Sequence, residues 1–378
     1  MIRIADILGN SSEEDKPRKE KQEQGKQKDA TPPPNVELIK GKSQTPPFPS
    51  KPYSPLKQEQ EEPSLIELSK SMLDKVKLEG LEESRGLYNK LATSLKGVCD
   101  TLASGGDIDL TTANDNLSAL IDQLALGNEE FKTLTNSPYE GEYLYAHMVN
   151  VSILSILIGV QAGFNKSRLL ELSSGALLHD VGLIKFREII NAPRKLTKEE
   201  YEQIKQHTIL GAEILKDCKG ISKGILSIIS GHHERLDGSG YPKRLKAQDI
   251  EDNAQIVALV NAYESLTHKR PFRDRILNSK AMRLMVEQKK TFRSDFLKLF
   301  IEAISIYPLN CWVRLSSDEI AKVVGINRAF LLKPKVEIFF DKKNKRLDST
   351  KIIDLSKQPN IYVKEEIPQE AVEFKLED

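Results

Sequence analysis

The chain is poor in cysteine and carries almost no net charge, and each shortage narrows what it can do. Its three cysteines, Cys99, Cys218 and Cys311, are scattered and form no CxxC pair. That excludes a disulfide framework and a cysteine-based zinc site, and it points to a reducing, cytoplasmic compartment. Lysine and arginine number 56 against 55 aspartates and glutamates, so composition predicts no DNA or RNA partner. The start, Met1-Ile2-Arg3-Ile4-Ala5-Asp6, has no apolar run of signal-peptide length. The most apolar stretch, Val151 to Val160, contains Ser152 and Ser155 and falls short of the ~20 residues a bilayer crossing needs. It reads as a core helix, and no membrane span is expected.

What is present divides the chain by texture. Residues 1–63 hold ten of the eighteen prolines together with charged and glutamine-rich runs, a composition that cannot bury enough apolar surface to offset its ordering entropy. They are expected to form a disordered tail and linker. In residues 64–132 apolar positions recur at helical spacing: Leu65, Leu68, Met72 and Val76 after Ser64, then Leu87, Leu91, Leu95, Val98 and Leu102, then Leu117, Leu120, Ile121 and Leu124. Helices of this kind form a small bundle, a dimerisation element that would make the chain a homodimer, or a sensor-like segment. Residues 133–308 read as long helices joined by short polar loops. After Pro308, β-branched and aromatic runs at 311–315, 320–324, 336–340 and 352–355 predict a small β-rich appendage over 309–363, followed by a flexible acidic tail at 364–378. The fold class is therefore mainly α, with a preceding helical segment and a small β-rich C-terminal appendage.

Five of the six histidines, His147, His179, His207, His232 and His233, fall between positions 147 and 233, and Asp180 follows His179 directly. One histidine in apolar surroundings is ordinarily a satisfied core residue. Five with an aspartate are costly to bury in one helical core unless a cation coordinates them, and imidazole nitrogen and carboxylate oxygen are standard ligands of divalent metals. Gly238, Gly240 and Pro242 predict a tight loop just beyond His233.

The strings His179-Asp180-Val181-Gly182 and His232-His233-Glu234-Arg235-Leu236-Asp237-Gly238-Ser239-Gly240-Tyr241-Pro242 resemble the HD-GYP family. Lys195-Leu196-Thr197, His207 with Gly211, and Arg270-Pro271-Phe272-Arg273 support the resemblance. It implies an all-α HD-type domain, a two- or three-metal centre of iron or manganese, and hydrolysis of cyclic di-GMP to pGpG or GMP. It also implies metal ligation by His147, His179, Asp180, His207, His232, His233 and position 261, with Asp180 bridging two metals. His179 and Asp180 would be the catalytic pair. Lys195, Arg270 and Arg273 would contact substrate, Tyr241 would buttress the loop, and Glu234 and Asp237 would anchor it or tune the histidines as acceptors.

Two positions depart from the family pattern. Leu183 stands where a lysine usually follows the HD pair and glycine, and Asn261 stands where an aspartate usually ligates metal. Asn261 offers a neutral carbonyl oxygen, so one of the two metal positions is expected to be impaired. The alternative to a cyclic di-GMP phosphodiesterase is a degenerate module that binds a nucleotide or partner protein without catalysis; a different nucleotide substrate is a third reading.

Overall fold

The computed structural model describes residues 81–138, 141–288 and 290–373. The tail expected at 1–63 and the helix expected from Leu65 to Val76 lie outside the described residues.

The first helices are amphipathic. In α1 (Leu81–Ala103) Leu91, Leu95, Val98 and Cys99 are buried, with Glu82 and Glu83 in the first turn favoured by the helix dipole. In α2 (Thr111–Ala125) the buried stripe is Ala113, Leu117, Leu120, Ile121 and Leu124. Both stripes join one apolar core that continues through Met148, Ile153, Leu172, Ile228, Leu259 and Phe300. The Leu87-to-Leu102 seam thus turns its central residues into the chain's own core, and Leu87 and Leu102 pack against its margin. A short α3 (Glu130–Leu134) leads to α4 (Tyr143–Gln161).

Every residue of α4 from Leu144 to Gly159 is buried. At nineteen residues the helix is long and apolar enough to cross a membrane by length and composition. What the structure gives it instead is the centre of the core, packed by α5 (Lys166–Leu178) and later helices. An Asn165 cap accepting from the Arg168 N–H starts α5.

A 3₁₀ turn (Val181–Phe186) follows, then α6 (Arg187–Ile190). Next, α7 (Lys198–Ile204) opens with a Thr197/Glu200 capping box. Helix α7 does not run on to His207. The chain instead breaks at Lys205-Gln206, and His207 is the first residue of α8 (His207–Leu215). The all-α part is completed by α9 (Lys223–Gly231), capped by Ser222, then α10 (Asp252–Thr267), α11 (Asn278–Glu287) and α12 (Ser294–Ile304).

The appendage is an antiparallel five-stranded sheet in the order β4-β3-β2-β1-β5. Its strands are β1 (Trp312–Leu315), β2 (Ile320–Gly325), β3 (Lys335–Phe340), β4 (Arg346–Asp354) and β5 (Val363–Ile367). Val313, Leu315, Ala321, Val323, Val336 and Ile338 fill one face; Trp312, Ile320 and Phe340 fill the other. The acidic tail expected from 364 is corrected by β5, which pairs Trp312 with Ile367 and Val313 with Glu366, and by the short α13 (Glu370–Glu373), whose Val372 is fully buried. Glu366 is mostly buried and accepts the N–H groups of Asn278 and Ser279 at the start of α11. A carboxylate at a helix N-terminus satisfies orphan donors and the dipole together, which is how an acidic segment becomes ordered structure.

Candidate metal centre

Three helix ends and one helix interior deliver the histidines. His179 caps the C-terminus of α5, with Asp180 next to it at the head of the 3₁₀ turn. His207 opens α8, and His232 and His233 follow α9. His147 projects from the buried first half of α4. The meeting of the 3₁₀ turn with α8 depends on Gly182: a Cβ there would lie 2.1 Å from the His207 carbonyl oxygen and 2.9 Å from the Gly211 nitrogen. Only glycine lets the two backbones approach this closely.

The Asp180 carboxylate divides its two oxygens. Oδ1 lies 3.1 Å from His207 Nε2 and 3.4 Å from His232 Nε2. Oδ2 lies 3.4 Å from His179 Nε2 and 3.5 Å from His147 Nε2. Two donor sets result, one of Asp180, His207, His232 and His233, the other of His147, His179 and Asp180. All are buried except His233, which is half-buried.

The tautomers follow from the neighbours. His179, His207 and His232 each place Nδ1 2.7 to 2.9 Å from the carbonyl of the residue three before, Ala176, Ile204 and Ile229. A carbonyl only accepts, so Nδ1 carries the proton and Nε2 presents a lone pair. His207 Nε2 and His232 Nε2 are 3.2 Å apart, two lone pairs facing each other. His179 Nε2 and Asp180 Oδ1 are buried without a hydrogen-bond partner. Such crowding of acceptors is unfavourable unless a cation sits among them, so the residues fit a divalent metal pair.

Electrostatics prepare the donors. Burial drives the His232 pKa down to about 3, with the neighbouring His179 acting in the same direction, and burial with His232 and His207 drives His233 well below its ordinary value. Both imidazoles are therefore neutral and ready to ligate at neutral pH. Burial opposes the charged form of Asp180, yet the surrounding imidazoles, His179 foremost, hold its carboxyl well below the usual range. His147 behaves differently: burial, the largest effect, lowers it, but the Glu264 and Asp180 carboxylates together outweigh burial and the net shift is upward.

Glu264, fully buried on α10, was not singled out from the sequence. Its Oε2 accepts from His147 Nδ1 in a short hydrogen bond, its Oε1 accepts from Asn150 Nδ2 at 3.0 Å, and His268 Nδ1 lies 3.3 Å away. The one available signal was an acidic residue inside the apolar run Ala258-Leu259-Val260-Asn261-Ala262-Tyr263-Glu264. Asn261 is buried one turn earlier on the same helix.

The loop after His233 is built as a brace. Glu234 is buried and accepts the N–H groups of Lys243 and Leu245 at 2.7 and 2.9 Å. Asp237 accepts from the Ser239 N–H and hydroxyl. Gly238 has φ of +76°, and a Cβ on Gly240 would meet backbone atoms of His233, Glu234 and Arg235 at 2.5 Å. Tyr241, joined to Pro242 by a cis peptide, stacks on His233 with ring centroids 4.5 Å apart.

The expected substrate contacts fare unequally. Arg270 reaches within 3.4 Å of His147 Nε2 and lies at the edge of the cluster. Arg273 instead donates to the Ser265 and Leu266 carbonyls at the end of α10, the position of a helix C-cap. Lys195 is exposed in the loop before α7, and Lys185 is exposed on the 3₁₀ turn. Leu183, where the resemblance would place a lysine, is buried in the apolar core.

A helical domain with histidines and an HD pair in this arrangement is an HD domain, a metal-dependent class: the family model of that name matches residues 119–296, and a model for the KOW domain associated with HD domains matches 312–375. Within that class the chain is similar to proteins named as cyclic di-GMP phosphodiesterases. It is 30% identical over 254 residues to a cyclic di-GMP phosphodiesterase of Pseudomonas aeruginosa, covering 67% of this chain and 61% of that one. It is 32% identical over 222 residues to a cyclic di-GMP phosphodiesterase of Borreliella burgdorferi, covering 58% of this chain and 56% of that one. The chain thus spans less than two thirds of these relatives' length. A solved HDGYP protein from Bdellovibrio bacteriovorus shares the fold with a TM-score of 0.51 at 20% identity, over 62% of this chain and 75% of that one.

Proposed function

We propose that this chain is a metal-dependent phosphodiesterase of the cytoplasm that hydrolyses cyclic di-GMP to pGpG or GMP. The observation that carries the reading is the divided Asp180 carboxylate, with one oxygen toward His207 and His232 and the other toward His147 and His179. Two divalent cations held there would supply positive charge against the developing phosphorane and lower the pKa of a water; iron or manganese suits a donor set of nitrogen and oxygen alone.

The chain's own residues do the positioning. The Ala176, Ile204 and Ile229 carbonyls keep the Nδ1 protons in place and the Nε2 atoms aimed inward. Glu234 and the two glycines fix the loop that carries Tyr241 against His233. Arg270, beside His147, is the guanidinium suited to a phosphodiester or a guanine edge.

Other relatives are named 3'3'-cGAMP-specific phosphodiesterases, one of them 28% identical over 200 residues, so the test sets two substrates side by side. Purified protein is incubated anaerobically with cyclic di-GMP or 3'3'-cGAMP, with and without iron or manganese, and products are separated by chromatography. The proposal predicts pGpG or GMP only when metal is present, with cyclic di-GMP consumed faster. No product from the wild type, with cleavage restored by Asn261→Asp, would overturn it in favour of a module that binds without cleaving. Faster loss of 3'3'-cGAMP would replace the substrate.

A further inference from the structure

A line of buried hydrogen bonds enters the metal centre from α1, a helix that lies outside the residues matched by the HD domain model. The Tyr88 hydroxyl, half-buried on α1, donates to Asn150 Oδ1 at 3.0 Å, and the Ala146 carbonyl lies further off at 3.4 Å. Asn150, buried on α4, donates from Nδ2 to Glu264 Oε1 at 3.0 Å. Glu264 Oε2 accepts from His147 Nδ1, and His147 Nε2 faces Asp180 Oδ2 at 3.5 Å. The polarity of each link is forced. An ionised carboxylate only accepts, so the asparagine turns its amide N–H to Glu264 and its oxygen to the tyrosine.

We infer that Tyr88, Asn150 and Glu264 are positioning residues that hold His147 for its cation, so that the helix preceding the matched HD region sets the metal affinity of the three-donor position. This rests on the two-cation reading above. That position has the smaller donor set, His147, His179 and Asp180, against four donors at the other. A carboxylate hydrogen-bonded to the far nitrogen of an imidazole fixes its tautomer and raises its basicity, which strengthens the weaker position through its one histidine on α4. The Tyr88 hydroxyl selects the amide orientation that serves Glu264. Without it, an inverted amide would set its oxygen against the carboxylate.

The test is a manganese(II) titration of the metal-free full chain, with free manganese followed by its electron paramagnetic resonance signal. The wild type is expected to bind in two classes. Asn150→Ala should weaken the weaker class by about 10- to 100-fold, the range typical of groups that orient metal ligands, and leave the tighter class unchanged. Tyr88→Phe should weaken the same class by a smaller factor, and should add nothing in the Asn150→Ala background, because both act along one line. Thermal unfolding of the metal-free variants is the control. A merely structural role would lower the midpoint and leave both manganese classes intact, which overturns the proposal. Additive effects of the two substitutions would also overturn it. Failure of the wild type to take up manganese in two classes would instead remove the two-cation reading on which the proposal stands.

Discussion

Asp180→Ala is expected to empty both metal positions at once and to abolish turnover. The reason is geometric: each oxygen of this one carboxylate serves a different set of histidines, so no other single side chain belongs to both sets. The loss of rate should exceed the ~10²–10³ that removal of one oxyanion donor costs in other enzymes, because here charge stabilisation and water activation go together. His147→Ala is the contrasting variant, since it removes a ligand from the three-donor set alone. Metal content measured by mass spectrometry after anaerobic purification separates the two. Retention of half the wild-type metal by Asp180→Ala would contradict a shared carboxylate.

Gly182→Ala should be nearly as damaging without touching a ligand. Its Cβ would sit 2.1 Å from the His207 carbonyl oxygen and 2.8 Å from its carbonyl carbon. Both are backbone atoms that no rotamer change can move. The 3₁₀ turn carrying Asp180 and the start of α8 carrying His207 must then separate, which pulls apart the Asp180–His207 contact of the four-donor set. We expect a stability loss at or above the ~1–3 kcal/mol typical of core overpacking, together with loss of metal from that position. Urea unfolding and metal analysis of the same sample measure both effects. An unchanged midpoint with full metal content would show that the close approach of the two backbones is not needed.

Much of this was legible because it rests on local pattern. The apolar run Val151 to Val160 of α4 announced a core helix, the β-branched runs after Pro308 announced strands, and the histidines with their Gly-Tyr-Pro loop announced the site. What was missed is non-local or lacks a compositional mark. Asn150 and Glu264 are separated by 114 positions and Tyr88 and Asn150 by 62, so nothing in the sequence near any of them signals the pairing. The break before His207 falls at Lys205-Gln206, with no proline or glycine to mark it. β5 was hidden by acidity: Val363 and Glu366 turn inward on a strand whose other positions are largely solvated, and the buried acid is a helix cap rather than a solvated charge. Arg273 matched a ligand-contacting motif, but its guanidinium is taken up by carbonyls at the end of α10.

The central claim is a pair of cations joined by Asp180, and a direct count of metal per chain tests it. Protein purified without oxygen and loaded with manganese or iron should carry two metal ions per chain, the second bound more weakly. Asp180→Ala prepared in parallel should carry none. One ion per chain at saturation, or two that persist in Asp180→Ala, would contradict it.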